Sequence, residues 1–475
     1  MMDRRGVILA LGAVGVVLPW PRPAGASEGG RETLHLAPDG EDSDAPGAGR
    51  AGRPFASLPH AYRRARPGDT ILMRGGVYRP GGTEGWLLHG GGGAPGRPVR
   101  IEAMPGETPV VDGATMTPPT GAGAAWPGRN TAGGFPLVLW DAPFVEVRGL
   151  AVRHGPMGGM HVSGTHPGFV AERCAFHENG WLNDEHGVGL GIFGSGGANV
   201  VRNCDAWGNH GGGVGATGGN ADGFQIVLAD SAGTVVTGNR AWHNGDDGFD
   251  FFNTLRPGDD RSVTGYLVDG NWSFANGCRP DGTVNPTGDG VGFKLGGRRQ
   301  GARGRHGGHT VIRNLAWANR TMGFDENGYL GGTEPHRVWN NVAFDNGRDP
   351  DGGFGDHGHA FVFQDAPGTV LANNVAFALR TRNEVLVKRA VERCNARNGR
   401  PWNVFHPALT LGADAFVSLE DAVARGPRGP DGSLPASGFL RPVRGGALTG
   451  RGADDGAPAE LGASKHPDLG AYPTG

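Results

Sequence analysis

The residues of this chain best suited to chemistry are four aspartates and one lysine that follow a repeated phrase. Asp222 precedes a Gly-Phe step, and Asp247 precedes the same step 25 residues later, flanked by Asp246 and Asp250. A third Gly-Phe step leads directly into Lys294. Carboxylates that are brought together repel one another strongly unless a cation lies among them. The spacing therefore predicts an acidic groove that holds a cation, with a lysine beside it.

The Gly-Phe step also indicates which elements position these side chains. It begins at residues 223, 248, 292 and 323, with a weaker Ala-Phe copy at residue 360. A fixed phrase at irregular spacing is typical of stacked coils joined by loops of variable length. Equivalent residues of neighbouring coils lie about 4.8 Å apart, and strand side chains alternate between faces. With the Phe side chains inside, one outward column is predicted to contain Gln225, Asp250, Lys294 and Asp325.

A second motif supports the same arrangement. It reads Asn or Cys, any residue, Ala or Ser, an aromatic residue, any residue, and usually Asn. Its copies begin at Cys204, Asn239, Asn271, Asn314, Asn341 and Asn374, with a slipped copy at Cys174. Asparagine tolerates the left-handed backbone of a tight corner, and stacked amides hydrogen-bond along a column. We therefore expect these asparagines to be structural rather than catalytic.

The pattern as a whole predicts an all-β fold, a parallel β-helix or solenoid, rather than a propeller of four-stranded antiparallel blades. Residues 57–65 place apolar side chains on one helical face and are predicted to cap the N-terminal end of the stack. A single β-helix domain is expected over residues 27–475. Its clearest repeats span 140–380, and a C-terminal region of strands and loops, 384–475, packs on the stack. A capped helix is predicted within 409–426.

The N-terminus is typical of an export signal. Paired arginines at positions 4 and 5 precede an apolar run over residues 6–18, and Ala-Gly-Ala at 24–26 has the form of a cleavage site. The alternative is a buried N-terminal helix. A signal peptide over residues 1–26 predicts a secreted or periplasmic protein, exported by the general or the twin-arginine route. The apolar run is short for a membrane span, and no membrane association is expected.

Composition and charge narrow the class of protein. Glycine accounts for 91 of 475 residues, against an average of about 7%, which suits a coiled chain with many tight turns. The formal net charge of −3 leaves no basic field for nucleic acid. We expect a monomer. Cys174 and Cys204 occupy the same position of successive coils and have the placement for a disulfide, but two small buried thiols are the preferred interpretation.

Four phrases carry a family resemblance: NADGF, NGDDGFDFF, GVGFKLGG and MGFDENG. Together they resemble polysaccharide lyase family 9, whose members include pectate lyases with a right-handed parallel β-helix. The motif-bearing part spans residues 186–346. The resemblance implies an acidic uronate polymer as substrate, pectate or polygalacturonate above all, and a bound Ca²⁺. It also implies that Lys294 is the base that removes a proton. The implied calcium ligands are Asp222, Asp246, Asp247 and Asp250.

The physical chemistry of the residues agrees with these implications. Calcium takes six to eight oxygen ligands, and carboxylates suit it well. Lys294 is the only lysine before Lys388 in a chain whose other basic residues are mostly arginines. Arginine cannot release its proton near neutrality, whereas the pKa of lysine shifts readily. The alternative for Lys294 is an ion pair with Asp250 or Asp325.

Further groove residues are predicted from sequence proximity. Arg298, Arg299 and Arg320 are candidate binders of substrate carboxylates, or else solvated surface charge. The insertion at 278–290 is expected to form a wall beside the groove, because loops on a rigid stack commonly carry binding sites.

Two other function classes remain open. A glycoside hydrolase of the polygalacturonase type would use Asp222, Asp246 and Asp247 as acid and base, and His357-Gly358-His359 favours that class slightly. A non-catalytic β-helix that binds calcium and glycan on a surface is the second alternative. An unsaturated product that absorbs in the near ultraviolet would distinguish a lyase from both.

Overall fold

A computed structural model describes residues 31–474, apart from a few gaps. The gaps are residues 119–132, 181–185, 212–218, 256, 286, 329, 350–358, 381–383, 399–408 and 410. The predicted signal peptide, residues 1–26, therefore lies outside the described residues. The described part contains almost only parallel strands, which stack in three long sheets and one short sheet.

Most coils contribute one strand to each long sheet, and the three sheets contain 12, 10 and 11 strands. The first sheet contains Thr33–Leu36, Thr70–Met73, Val99–Ala103, Val145–Arg148, Val170–Glu172, Val200–Arg202, Val235–Thr237, Leu267–Asp269, Thr310–Ile312, Arg337–Trp339, Val370–Ala372 and Val391–Arg393. The second sheet contains Trp86–His89, Leu137–Trp140, Gly158–Ser163, Val188–Ser195, Phe224–Ala229, Phe249–Asp250, Phe293–Lys294, Met322–Asp325, His359–Phe363 and Glu384–Val387. The third sheet contains Gly76–Tyr78, Pro109–Asp112, Ala151–Arg153, Ala175–His177, Asp205–Trp207, Arg240–Trp242, Trp272–Phe274, Leu315–Trp317, Val342–Phe344, Val375–Phe377 and Ala396–Arg397. The short sheet contains Val263–Thr264, His306–Gly307 and Thr333–Glu334.

The strand registers place the phenylalanines of the Gly-Phe steps in one inward column. Phe224, Phe249, Phe293, Phe324 and Phe361 are successive partners in the second sheet. Their rings stack with centroid separations between 4.8 and 5.0 Å, and all five side chains are fully buried. The stack is a right-handed parallel β-helix, so the fold predicted from the sequence is confirmed.

Two ladders of asparagine side chains run along the corners of the coils. One ladder joins Asn239, Asn271, Asn314, Asn341, Asn374 and Asn395, and the other joins Asn179, Asn209, Asn244, Asn276, Asn319 and Asn346. In every step an Nδ2 donates to the Oδ1 of the next coil at 2.8–3.0 Å. The predicted amide column is confirmed.

The corner backbone differs from the prediction by one residue. The left-handed conformation belongs to the residue before the ladder asparagine, as at Arg313 with φ 56° and Ala318 with φ 55°. The asparagine itself points its amide into the ladder, so the chain turns one position earlier. The prediction that the ladder asparagines adopt left-handed backbone was therefore wrong.

A short helix covers the N-terminal end of the stack as predicted. Helix Leu58–Arg64 starts at the cap residue Ser57, whose hydroxyl accepts from the backbone NH of His60 at 3.4 Å. Its buried face, including Leu58 and Tyr62, belongs to the main core together with the first strands. The helix thus shields apolar side chains that would otherwise meet water at the first coil.

The C-terminal segment packs on the outside of the third sheet. Phe416, Phe439 and Leu448 join a second apolar cluster with Trp272 and Trp317. The capped helix predicted within 409–426 is not formed by the described residues of that range: they contain a short 3₁₀ turn, Ala413–Ala415, followed by extended backbone and turns. Residues 416–418 form bridges to residues 439–442 instead, and these tertiary pairings outweigh a weak local helix signal.

Two further observations bear on the predictions. The four cysteines are free thiols, and Cys174, Cys204 and Cys278 are buried, which agrees with the preferred interpretation. Among the described residues, no helix has the length and apolar character to cross a membrane.

Candidate active site: an aspartate cluster beside Lys294

The second sheet presents the predicted polar column on its outer face. Gln225 pairs in register with Asp250, which pairs with Lys294, which pairs with Asp325. Because each follows an inward phenylalanine, its side chain lies on the opposite face of the strand. The column is confirmed, and its regular spacing follows from the parallel register of the strands.

Asp222 and Asp247 lie just before the strands that carry this column. The backbone NH of Asp247 donates to Asp222 Oδ1 at 3.0 Å, which ties the two coils together. Asp250 accepts from Gln225 Nε2 at 2.9 Å and from the NH of Phe252 at 2.7 Å. Asp222, Asp247 and Asp250 each offer an oxygen within 4.8 Å of the other two. Three of the four predicted ligands therefore converge on one point.

Asp246 belongs to an adjoining group on the loop side. Its carboxylate accepts from the backbone NH of Asp289, and Asp246, Asp247 and Asp289 offer oxygens within 4.8 Å of one another. Asp247 is common to both groups. All four predicted ligands thus form one continuous cluster, with Asp289 as an additional member at its edge.

Lys294 lies against this cluster. Its Nζ is 3.0 Å from Asp247 Oδ2 and 2.8 Å from Asp289 Oδ2. It also lies 5.9 Å from the ring centre of Phe252. Burial alone would lower the pKa of Lys294, but the carboxylates of Asp247, Asp289 and Asp250 outweigh it and hold this pKa well above its ordinary value. The Lys294 amine thus lies between two carboxylates that stabilise its charged form.

The aspartate cluster buries carboxylates whose charge and oxygens are only partly balanced by neighbouring groups. Burial, followed by repulsion from neighbouring carboxylates, raises the pKa of Asp222 and of Asp246 well above the ordinary value. Burial also raises the pKa of Asp247 to about 7, against the opposing attraction of Lys294. Asp222 Oδ2 and Gln225 Oε1 are buried without a hydrogen-bond partner among the described residues. Oxygens that lack a donor and carboxylates that resist ionisation both fit a hard cation.

Most of the chain matches a known protein family. A sequence model of the family described as Pel9A-like, right handed beta helix region matches residues 34–360. The chain belongs to this family. The matched range contains all the predicted site residues and most copies of both motifs from which the fold was predicted.

Several proteins that align with most of this chain are pectate lyases. The chain is 28% identical to pectate lyase L of Dickeya chrysanthemi over 448 residues, covering 93% of this chain and 90% of that protein. It is 27% identical to pectate lyase PEL9 of Emericella nidulans over 425 residues, covering 87% and 92%. The crystal structure of pectate lyase Pel9A superposes with a TM-score of 0.68 at 26% identity, covering 94% and 97%. The predicted family is confirmed, and the relatives support the predicted enzyme class, a polysaccharide lyase.

The Pel9A-like fold is shared more widely. A solved rhamnogalacturonan lyase superposes with a TM-score of 0.62 at 22% identity, covering 87% of this chain and 97% of that one. At this identity the likeness concerns the fold alone. It therefore gives no information about the role of the outward column on the second sheet.

The three arginines predicted to bind substrate lie in different environments. Arg320 is buried, and its guanidinium donates to Gly288 O and to Asp349 Oδ2. Arg298 donates to the backbone carbonyls of Arg303 and Leu330 at 3.1 Å each. Arg299 is exposed. Arg320 therefore holds the loop beside the site, and Arg299 is the one of the three whose exposure suits contact with a polymer.

Two residues of the site were missed by the sequence reasoning. Asp289 lies near the end of the insertion at 278–290. The length of this loop does not indicate which of its residues lies beside which strand residue. Gln225 was placed in the column but was given no role, although its amide donates to Asp250. The sequence did contain one signal for Asp289, which lies only five residues before Lys294. A loop that joins a strand over so few residues keeps both side chains near the start of that strand.

Proposed function

We propose that this protein is a calcium-dependent lyase that cleaves a uronate polymer, with pectate as the best-supported substrate, by β-elimination. The observation that carries the proposal is the position of Lys294, whose amine lies 3.0 Å from Asp247 within the aspartate cluster. The proposed metal ligands and a side chain that can accept a proton when neutral thus lie side by side. The pectate lyases that the chain resembles over nine-tenths of its length support the substrate class.

The proposed calcium ligands are Asp222, Asp246, Asp247 and Asp250. Bound calcium would withdraw charge from the substrate carboxylate and make the proton on C5 of the uronate more acidic. Neutral Lys294 takes that proton as general base, and the C4–O4 bond breaks. The new chain end carries a 4,5-unsaturated sugar, and no water enters the bond-breaking step.

The electrostatics of the cluster link metal binding to the state of the base. The carboxylates that surround Lys294 keep its pKa high in the metal-free protein. A base works only in its unprotonated form, so the negative charge around Lys294 must be compensated before the amine can accept a proton. The same residues that hold the cation therefore decide whether the lysine is reactive.

A panel of uronate polymers tests the proposal directly. Pectate, polygalacturonate, alginate and rhamnogalacturonan would each be incubated with the protein in excess calcium and in excess chelator, with near-ultraviolet absorbance as the readout. We expect an absorbing product from pectate and polygalacturonate only when calcium is present. Turnover that persists in chelator after confirmed metal removal would contradict the calcium requirement.

The hydrolase alternative gives Lys294 no task. A hydrolase needs an acid and a base among Asp222, Asp246 and Asp247, but it does not account for a lysine amine 3.0 Å from Asp247. Residues 357 and 358 of the His-Gly-His step lie outside the described residues, and His359 is buried. A surface protein that binds glycan without turnover would yield no product in the same assay.

We further propose that the protein is exported and acts on extracellular polymer as a monomer. The charge order and cleavage motif of residues 1–26 support export. Amino-terminal sequencing of protein recovered from the medium or periplasm would test this, with a mature start near Ser27 as the expected result.

A further inference from the structure

The loop before Lys294 brings a fifth carboxylate to the site. Asp289 Oδ2 lies 2.8 Å from Lys294 Nζ, closer than Asp247 Oδ2 at 3.0 Å. We propose that Asp289 is the positioning residue that holds the Lys294 amine for proton transfer, an inference that depends on the proposed role of Lys294 as base. Neither the repeat pattern nor the family motif includes Asp289.

The two carboxylate partners of Lys294 have different duties. Asp247 Oδ1 accepts from the backbone NH of Val291 at 2.7 Å, so its Oδ2 is the oxygen left for either the lysine or a metal ion. Asp247 also belongs to the compact group with Asp222 and Asp250. When Asp247 serves the metal, Asp289 is the carboxylate that still reaches Nζ.

The backbone around Asp289 is held from three directions. Its NH donates to the Asp246 carboxylate, and its carbonyl accepts from Thr321 Oγ1 at 2.7 Å. The preceding carbonyl, of Gly288, accepts from the buried guanidinium of Arg320, which is itself paired with Asp349 at 2.9 Å. Arg320 therefore acts at a distance from the substrate: it fixes the loop on which the positioning carboxylate sits.

This arrangement matters because a neutral amine has one lone pair and two N–H bonds. A hydrogen bond from one N–H to Asp289 defines the rotation about the Cε–Nζ bond, and hence the direction of the lone pair that takes the proton. Lysine has a flexible four-carbon stem, and a misplacement of about 1 Å can reduce a rate by about 10²-fold. Fixing Nζ is therefore a task that the stem cannot perform alone.

Two substitutions at one position separate positioning from charge. Asp289→Asn keeps an oxygen that accepts from Nζ but removes the charge, whereas Asp289→Ala removes both. We expect Asp289→Ala to lower kcat by about tenfold to 10²-fold with KM within about twofold, and Asp289→Asn to keep kcat within about threefold of wild type. Asp281→Ala is the matched control, because Asp281 lies on the same loop, is exposed and contacts Thr283.

Two measurements that do not involve turnover complete the test. The chain has three lysines, Lys294, Lys388 and Lys465, so selective ¹³Cε labelling gives three resolvable signals, and Lys294→Arg assigns one of them. In wild type and Asp289→Asn, the two Hε protons of Lys294 should be inequivalent, as expected for a fixed side chain. In Asp289→Ala they should merge. Calorimetric titration should show calcium affinity within about threefold of wild type for both Asp289 variants.

The outcomes are distinguishable. If Asp289→Asn and Asp289→Ala lose kcat equally, the charge of Asp289 matters rather than its hydrogen bond to the amine. If calcium affinity falls by more than about tenfold, Asp289 is a metal ligand. Either result overturns the proposal. Unchanged kcat or an unchanged Lys294 signal in Asp289→Ala also overturns it. If Lys294→Ala itself stays active, the proposed base fails instead, whatever the Asp289 variants do.

Discussion

Two stacks of polar side chains follow the same coil repeat in this protein, and they differ in hydrogen-bonding balance. In the asparagine ladders each amide has both a donor and an acceptor, so Asn314 accepts from Asn271 and donates to Asn341 and to Val268 O. In the aspartate cluster the side chains have acceptors only. Asp222 Oδ2 finds no donor among the described residues. The ladder satisfies itself, whereas the cluster needs a cation or protons from outside.

The difference shows how one backbone repeat yields either structure or chemistry. Coil spacing brings equivalent side chains within contact in both stacks, at the cost of burying polar groups. A neutral amide column then rigidifies the corner. A carboxylate column stores unfavourable electrostatic energy, visible in the raised pKa of Asp222, Asp246 and Asp250. Binding of the proposed calcium ion would release that energy, so the least stable part of the stack would be the part that binds the ligand.

The largest effect is expected where the cluster meets its base. Lys294→Ala should lower kcat by about 10²- to 10⁴-fold, and Lys294→Arg should be nearly as inactive because a guanidinium keeps its proton. Calcium affinity, measured by calorimetry, should not weaken in Lys294→Ala, because the ammonium competes with the metal for Asp247. Activity of either variant within about threefold of wild type would leave the lysine with a merely structural ion pair.

Loss of a single carboxylate should reduce activity to a similar extent, but in a way that depends on the calcium concentration. Asp247→Ala removes the residue shared by both acidic groups, so we expect no measurable turnover at calcium concentrations that saturate wild type. Partial recovery at much higher calcium would show that affinity is the quantity lost. A matched change in the ladder, Asn314→Ala, should leave kcat unchanged and destabilise the fold by about 1–3 kcal/mol, because it leaves ladder partners unsatisfied. Activity assays and thermal unfolding of the two variants separate the stacks.

Exchanging the chemistry of the two stacks should have opposite effects on stability in chelator. Asn314→Asp converts a donor into a second acceptor that faces Val268 O and Asn341 Oδ1, and it should destabilise the protein by about 3 kcal/mol or more. Asp222→Asn replaces a buried carboxylate whose Oδ2 has no donor among the described residues, and it should stabilise the protein by about 1 kcal/mol or more. Chemical denaturation in chelator measures both. Changes of the same sign would mean that the cluster is not strained.

The pH dependence of unfolding gives the smallest and most specific effect. Burial raises the pKa of Asp247 to about 7 and that of Asp325 to about 6 in the folded protein, above the ordinary value of about 3.9. A raised carboxyl pKa means that the protonated form is favoured by folding. The stabilisation is therefore present at low pH and is lost as pH rises through these values.

In chelator, the melting temperature of wild type relative to Asp247→Asn should accordingly fall between about pH 4 and about pH 7. The comparison cancels the buried histidines, such as His161 and His336, whose lowered pKa makes both proteins more stable as pH rises. In excess calcium wild type should no longer lose stability relative to the variant, because metal affinity increases as the carboxylates ionise. Parallel melting curves of the two proteins with and without calcium provide the measurement. A wild type that gains stability relative to Asp247→Asn across this range in chelator would contradict the raised pKa of Asp247.

Apart from the N-terminal capping helix, the features predicted correctly from the sequence repeat from coil to coil, and the features that were missed do not. The Gly-Phe steps determine both the inward ring stack and the outward column, so Asp250 and Lys294 could be placed from spacing alone. Asp289 and Arg320 lie beside an insertion without register, and their contacts depend on how that loop returns to the stack. The wrong C-terminal helix has a related cause: residues 416–418 pair with residues 439–442, a tertiary contact that no local pattern encodes.

The proposed calcium ligands, Asp289 and Lys294 lie between 222 and 294, on three consecutive coils, and the next coil supplies Arg320, which holds the Asp289 loop. In a solenoid each repeat contacts only its immediate neighbours, so coils farther along the stack do not contact this segment. We therefore expect the four coils to be transferable: grafted between matching coils of another right-handed β-helix, they should carry the proposed cation site and base with them. Duplication of the outer coils would extend the surface available to a polymer while leaving the bond-breaking chemistry unchanged.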